Sequence, residues 1–428
     1  VGLFQGSREW AEKNWDKPNI DLSTIDAVLL THSHIDHIGL LPRYYKFGLK
    51  APIYATPPTI ELTKILLLDS GRLQEEEAKY RKKHKASRHD PILPLYTERD
   101  AENVFPFFTG VKAHSPIKLF DNIEVEWVRS GHIIGACSIQ LKADNKLITF
   151  SGDIGRYGVP ILKDPTPVEF GDLLLIESTY GDRLHDKGNE LEELKNIINK
   201  TTKRNGCIVI PSFAVGRTQS LLYSIRELKE KKLIDDIPVI VDSPMAMDAT
   251  VIYSKFPEDY DEEALGIIKK GNKPFSFSKL AFTKSVEESK KLNFIDQPMI
   301  IISASGMLTG GRILHHLRHR ISDPRNTILF VGFQPPGSRG AWIKSGAETV
   351  RLMGEDFTIR AEIESISGLS AHGDYEELLR WCREGKGTPK MVKVVHGEPS
   401  SANTFAEKLR KEFKWKVEVA KYKENLQI

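Results

Sequence analysis

The chain has 428 residues, enough for two or three domains, with 40% hydrophobic and 28% charged residues, close to the globular average. Its 61 basic and 58 acidic residues leave a formal charge of +3, so affinity for nucleic acid cannot rest on bulk basicity and needs metals or a local patch. No stretch reaches the apolar length of a membrane-spanning helix. Cys137, Cys207 and Cys382 stand far apart, which argues against a disulfide framework or a cysteine zinc site and fits a cytoplasmic setting.

The opening Val1-Gly2-Leu3-Phe4 carries no targeting signal and reads as mid-domain sequence, which suggests that chain precedes it. A short apolar run at 27–31 predicts a buried strand, and Thr31-His32-Ser33-His34-Ile35-Asp36-His37 follows at once. A helical pattern runs from 59 to about 85. It ends in the basic run Arg81-Lys82-Lys83-His84-Lys85 after Glu75-Glu76-Glu77, read as a solvated helix face. A strand-like 124–128 precedes Gly131-His132, a strand at 146–150 precedes Gly152-Asp153, and a strand at 172–176 precedes Glu177-Ser178-Thr179-Tyr180. Strands at 207–210, 238–241, 299–302 and 327–331 then alternate with helices at 217–232 and 311–320, a pattern that means α/β layers. A strand at 392–395 leads into His396, and a helix covers 401–413. There is no repeat and no low-complexity tract.

Polar residues at the carboxyl ends of buried strands mark the active sites of layered α/β proteins. Three imidazoles and a carboxylate packed into residues 32–37 are ligand types that suit Zn²⁺, and a strand-to-helix turn can aim them at two neighbouring points. One loop cannot saturate two metals, so further ligands are expected after later strands. His132 is a candidate, as are His396 and Asp153, whose carboxylate can bridge two cations. Taken singly, His132 reads equally as a core histidine and Asp153 as a turn residue.

The ordered series His-x-His-x-Asp-His, Gly-His and Gly-Asp resembles the ligand set of the metallo-β-lactamase superfamily. Glu177-Ser178-Thr179-Tyr180, Ser370-Ala371-His372 and His396 are similar to elements of its nucleic-acid branch, the β-CASP group. Residues 211–217 (Pro-Ser-Phe-Ala-Val-Gly-Arg) and 303–307 (Ser-Ala-Ser-Gly-Met) resemble the cleavage-and-polyadenylation endonuclease type, in its bacterial or archaeal form. That resemblance covers essentially the whole chain. It implies an αββα metallo-β-lactamase sandwich from residues 1–180 and 365–428, interrupted by an α/β β-CASP domain at 181–364, with the catalytic cleft between them. It also implies two Zn²⁺ ions: His32, His34, His132 and bridging Asp153 on one, Asp36, His37, Asp153 and His396 on the other. In that family an early aspartate precedes the segment resembling Gly2 to Gly6, and it supports the ligand loop.

The activity so implied is hydrolysis of single-stranded RNA by a hydroxide shared between two metals, leaving 5′-phosphate products, in RNA processing or decay. Histidine at position 396 favours RNA over DNA. Asp36 is expected to orient the nucleophile. His372, held by Glu177, is expected to protonate the leaving 3′-oxygen, although helix capping around Ser370 and Asp374 would account for the same polarity. Ser303, Ser305, Gly306, Ser370 and Arg217 are candidate phosphate contacts, with a structural turn as the competing reading. His84, His89, His114, His185, His315, His316 and His319 read mostly as surface residues, and Trp10, Trp15, Trp127 and Trp342 as core or partial core rather than base readers. A homodimer or a place in an RNA-processing complex is compatible with the resemblance. A small-molecule hydrolase of the same fold, a silent RNA-binding scaffold and a DNA nuclease are the rival readings.

Overall fold

A computed structural model describes the chain apart from residues 5–7, 19, 84–91, 187, 333, 335, 336 and 367. His84 and His89, the end of the basic run at Lys85, and Gln5 and Gly6 of the early segment therefore lie outside the described residues. Two compact units share the chain. The first comprises Val1–Tyr157, Asp164–Leu184 and His372–Ile428, and the second Gly158–Lys163 and His185–Ala371.

In the first unit a seven-stranded mixed sheet runs in the order Val417–Val419, Met391–Val394, Leu173–Ile176, Lys146–Phe150, Cys137–Ala143, Ile123–Arg129, Ile117–Phe120. A second, three-stranded parallel sheet contains Val28–Leu29, Ile53–Ala55 and Phe108–Gly110. Side-chain alternation sorts the apolar residues into layers. Val125, Trp127, Cys137 and Ile139 meet Leu29 and Tyr54 between the sheets, and the Trp127 indole N–H donates to the Leu30 carbonyl at 2.9 Å. Val28, Leu30, Ile53 and Ala55 point the other way, onto Leu41, Ile60 and Leu67 of the flanking helices. On the far side, Leu174, Ile176, Val392 and Val394 pack on Leu379, Trp381, Phe405 and Leu409 from helices Tyr375–Glu384 and Pro399–Phe413. Helix, sheet, sheet, helix is the αββα order expected from the sequence.

The second unit is built on a six-stranded, wholly parallel sheet in the order Leu280–Phe282, Val239–Asp242, Met299–Ser303, Cys207–Pro211, Thr327–Phe330, Glu362–Ser365. Its central strands are buried throughout, as parallel sheets covered on both faces require. A hairpin, Thr349–Leu352 with Glu355–Thr358, lies beside it in sequence.

Asp242, at a strand end, is 1% exposed and gathers four side chains. Its carboxylate accepts from Arg312 Nη1 at 2.7 Å, from the Ser289 hydroxyl at 2.6 Å and from the Thr283 hydroxyl, and His316 Nε2 lies 2.5 Å away. This corrects the surface reading of His316, which is fully buried; His185 is buried as well, whereas His114, His315 and His319 are exposed. Helical spacing put His316 beside His315 and His319, but on the inward face of Arg312–Arg320.

Burial alone would raise the Asp242 carboxyl, yet these hydrogen bonds outweigh it and hold it well below the usual carboxylate range. Burial pushes the His316 imidazole below its ordinary value. The unfolded imidazole takes up a proton below about pH 6.5 and the unfolded carboxylate below about pH 4, where the folded groups resist. Stability of this unit is therefore expected to fall in that order on acidification. Asp242→Ala, which strands the paired groups, is expected to cost about 3–5 kcal/mol, read from the urea unfolding midpoint at pH 7.

Candidate metal centre and active site

The strand Val28–Leu29 delivers Thr31 and His32, and the short helix Ile35–Ile38 turns Asp36 and His37 back toward it. Gly2 presses on this loop so closely that a Cβ there would lie 1.4 Å from the Asp36 carbonyl oxygen; only glycine lets the N-terminal segment pass. Gly152 has φ +59°, and a Cβ on it would meet the Thr31 side chain at 2.9 Å, so the turn that presents Asp153 can nestle against the His32 strand. His396 stands at the end of Met391–Val394 with φ +51°, a conformation that side chains with a Cβ rarely adopt, and Thr179 Oγ1 lies 3.1 Å from its Nδ1.

The side chains converge on two adjoining points. His34 Nδ1 lies 3.2 Å from His32 Nε2 and 3.0 Å from His132 Nε2. On the other side, His37 Nε2 lies 3.1 Å from His396 Nε2, which in turn lies 3.3 Å from Asp36 Oδ2. Asp153 stands between, with Oδ2 3.3 Å from His32 Nε2 and 3.6 Å from His132 Nε2, and Oδ1 3.4 Å from both His37 Nε2 and His396 Nδ1.

The arrangement fits metal ions. Burial, with the charge of His37 adding to it, pushes His32 down to about 3, and burial pushes His34 down to about 4, so both rings are neutral. Burial also lowers His132, and three neutral imidazoles that each turn one nitrogen to the same point cannot all be paired there, because that nitrogen is either a donor or an acceptor. Buried Asp153 Oδ1 accepts no hydrogen bond among the described residues. Nitrogen–nitrogen distances of 3.0–3.2 Å are close to the roughly 3.3 Å edge of a tetrahedron drawn around zinc at its usual ligand distance. His32, His34, His132 and Asp153 thus form one group able to hold an ion, and Asp36, His37 and His396 another.

Next to these groups lies a third arrangement. His372 Nδ1 is 3.3 Å from both oxygens of Glu177, which is wholly buried and also accepts the Ile154 N–H at 2.6 Å. Burial lowers the His372 pKa, but the charge and hydrogen bond of Glu177 and the charge of Asp153 outweigh it, and the net shift is upward. A protonated ring is thereby favoured beside the ligand groups.

Metal ligands work within a wider set of hydrogen bonds. Thr31 Oγ1, 3.2 Å from His32 Nδ1, and Thr179, beside His396, are orienting residues that sequence reasoning passed over; their adjacency to the ligand motifs was the available signal. The structure brings all seven proposed ligands together with Glu177 and His372 in the first unit. Ser303, Ser305, Gly306, Arg217 and Ser370 belong to the second. There the Ser303 hydroxyl donates to the Asp242 carbonyl at 2.9 Å, the Ser305 hydroxyl accepts from Thr309 N–H at 3.0 Å, and Arg217 is buried at a helix start.

Layered sheets with a buried histidine and aspartate cluster at their strand ends define a metal-binding protein of the metallo-hydrolase kind. Three family profiles match: a metallo-β-lactamase superfamily domain at residues 5–154, a β-CASP domain at 218–343, and a Zn-dependent metallo-hydrolase RNA specificity domain at 356–420. Among curated relatives, the chain is 34% identical over 398 residues to "Ribonuclease TTHA0252" of Thermus thermophilus, covering 93% of this chain and 86% of that protein. It is 30% identical over 394 residues to an "RNase J-like protein" of Methanocaldococcus jannaschii, covering 91% of this chain and 85% of that one. The same organism's "Transcription termination factor FttA" is 30% identical over 426 residues, 96% of this chain but only 65% of that longer protein. The chain belongs to the β-CASP ribonuclease family of the metallo-β-lactamase superfamily.

Because Asp153 offers one oxygen to each group, Asp153→Ala is expected to deplete bound metal further than His132→Ala or His396→Ala alone. Elemental analysis of the purified variants, with thermal unfolding as the folding control, reads this directly.

Proposed function

We propose that the chain is a zinc-dependent ribonuclease that hydrolyses phosphodiester bonds in single-stranded RNA. The observation that carries the reading is Asp153, whose two oxygens face two separate ligand groups. One ion would be held by His32, His34, His132 and Asp153, and a second by Asp36, His37, Asp153 and His396. Bound there, two zinc ions would supply positive charge for the phosphodiester and acidify a water.

The chain's own residues do the remainder. Asp36 lies beside His396 and His37, where it can orient a water as well as ligate. Glu177 fixes the His372 ring through Nδ1 and favours its protonated form, leaving Nε2–H as the donor for a departing 3′-oxygen. Attack on phosphorus breaks the bond to that oxygen, which takes the His372 proton, so the products carry a 5′-phosphate and a 3′-hydroxyl. The RNA-specificity family profile and the relatives named as ribonucleases support RNA as substrate. Residues 1–180 and 365–428 form the catalytic domain in this reading and 181–364 the inserted one, which the unit boundaries at Leu184 and His372 support. In this reading the chain acts in RNA processing or decay in the cytoplasm, alone, as a homodimer or within a complex. No helix among the described residues is long and apolar enough to cross a membrane.

His372→Ala is expected to keep its metal and lose cleavage by about 10²–10⁴-fold, the usual share of a positioned proton donor. An internally labelled RNA and the matching DNA, assayed side by side with product-end analysis, test the proposal. Equal cleavage of DNA, or 5′-hydroxyl products, would count against it.

A further inference from the structure

In the second unit the chain leaves strand Cys207–Pro211 for Val239–Asp242 on one side of the sheet, returns to Met299–Ser303 beside it, and crosses to Thr327–Phe330 on the other side. Adjacent strands whose connections depart in opposite directions leave a crevice beyond their carboxyl ends, the usual ligand position in open parallel sheets. The residues at that point are Ser212 and Phe213 after one strand and Ala304 to Gly306 after its neighbour.

Phe213 behaves unlike everything around it. Residues 206–219 are buried with this single exception, and Phe213 is 40% exposed. This segment buries the smaller Ala214 and Val215 and leaves its largest apolar side chain partly exposed. Nor is the ring loosely placed. Its backbone carbonyl accepts from the Thr218 hydroxyl at 2.8 Å, the Thr218 N–H at 3.2 Å and the Ser212 hydroxyl at 3.2 Å. One edge of the ring lies over two glycines: a Cβ on Gly306 would sit 3.1 Å from its Cδ2, and one on Gly332 3.7 Å from its Cε2. Gly306 is itself fixed, its carbonyl accepting from Gln334 Nε2 at 2.9 Å.

We propose that Phe213 is a stacking platform for one nucleobase of single-stranded RNA at this crevice. The inference rests on the ribonuclease reading and adds a base contact in the second unit to it. A flat, rigid, partly exposed ring suits a nucleobase because every base has a π-face, and stacking tolerates any sequence. The site is thus a non-specific grip, in keeping with a chain whose net charge gives RNA little bulk attraction.

The test uses the metal-loaded protein with two probes, short oligoadenylate and polyphosphate of matching charge. Phe213→Leu keeps an apolar side chain of similar size but has no π-face; Phe213→Trp restores one. The leucine variant is expected to bind oligoadenylate about 5- to 150-fold more weakly, the range for loss of one stacked base, with unchanged polyphosphate affinity, metal content and unfolding temperature. The tryptophan variant is expected to bind as the wild type does and to show added fluorescence quenching with oligoadenylate. Undiminished oligoadenylate binding by Phe213→Leu, or an equal loss for polyphosphate, overturns the stacking site while leaving the nuclease reading intact. Failure of the metal-loaded wild type to bind or cleave any RNA would remove the ribonuclease reading, and this one with it.

Discussion

Neutral imidazole nitrogens of His32, His34 and His132 lie about 3 Å apart in a buried space beside the Asp153 carboxylate, an arrangement that a cation among them would stabilise. The rest of the first unit is arranged around that constraint. Each clustered side chain comes from the carboxyl end of a strand or from the turn or short helix after it, so two packed sheets position the cluster. Gly2 and Gly152 permit approaches that a Cβ would block, and His396 holds a left-handed backbone that its neighbours must stabilise. Preorganisation of this kind spends folding stability on ligand geometry. Metal binding is then expected to return stability to the fold.

His372 illustrates how the same cluster divides labour between neighbouring rings. Burial drives His32 and His34 to the neutral form that a metal needs. The buried Glu177 reverses the balance for His372, only 4.4 Å from His132 between ring centres, and favours a proton there. One carboxylate thus separates rings that favour the neutral form from a ring that favours a proton.

Much of this was legible in the sequence. The predicted strands at 207–210, 299–302 and 327–331 are central strands buried on both faces, so their continuous apolar runs left little ambiguity. Missed strands are short, polar or at edges, such as Glu362–Ser365, Leu280–Phe282 and Phe108–Gly110, where pairing partners rather than composition decide the conformation. The histidines and aspartates that the structure gathers were visible in their order along the chain, because imidazole and carboxylate are ligand types that stand out in a sequence. The Asp242 network was not. Its partners Thr283, Ser289, Arg312 and His316 are ordinary residues that lie 41 to 74 positions after Asp242, and only the parallel sheet gathers them. Phe213 was equally hidden, since exposure cannot be read from an apolar residue at the end of an apolar run.

The most direct test of the two-ion centre is anomalous diffraction at the zinc edge from crystals of the zinc-loaded protein. The account predicts two peaks about 3.5–4 Å apart, one within His32, His34 and His132 and the other within Asp36, His37 and His396, with Asp153 between them. A single peak, or none at these residues in protein shown to be folded and zinc-loaded, would contradict it.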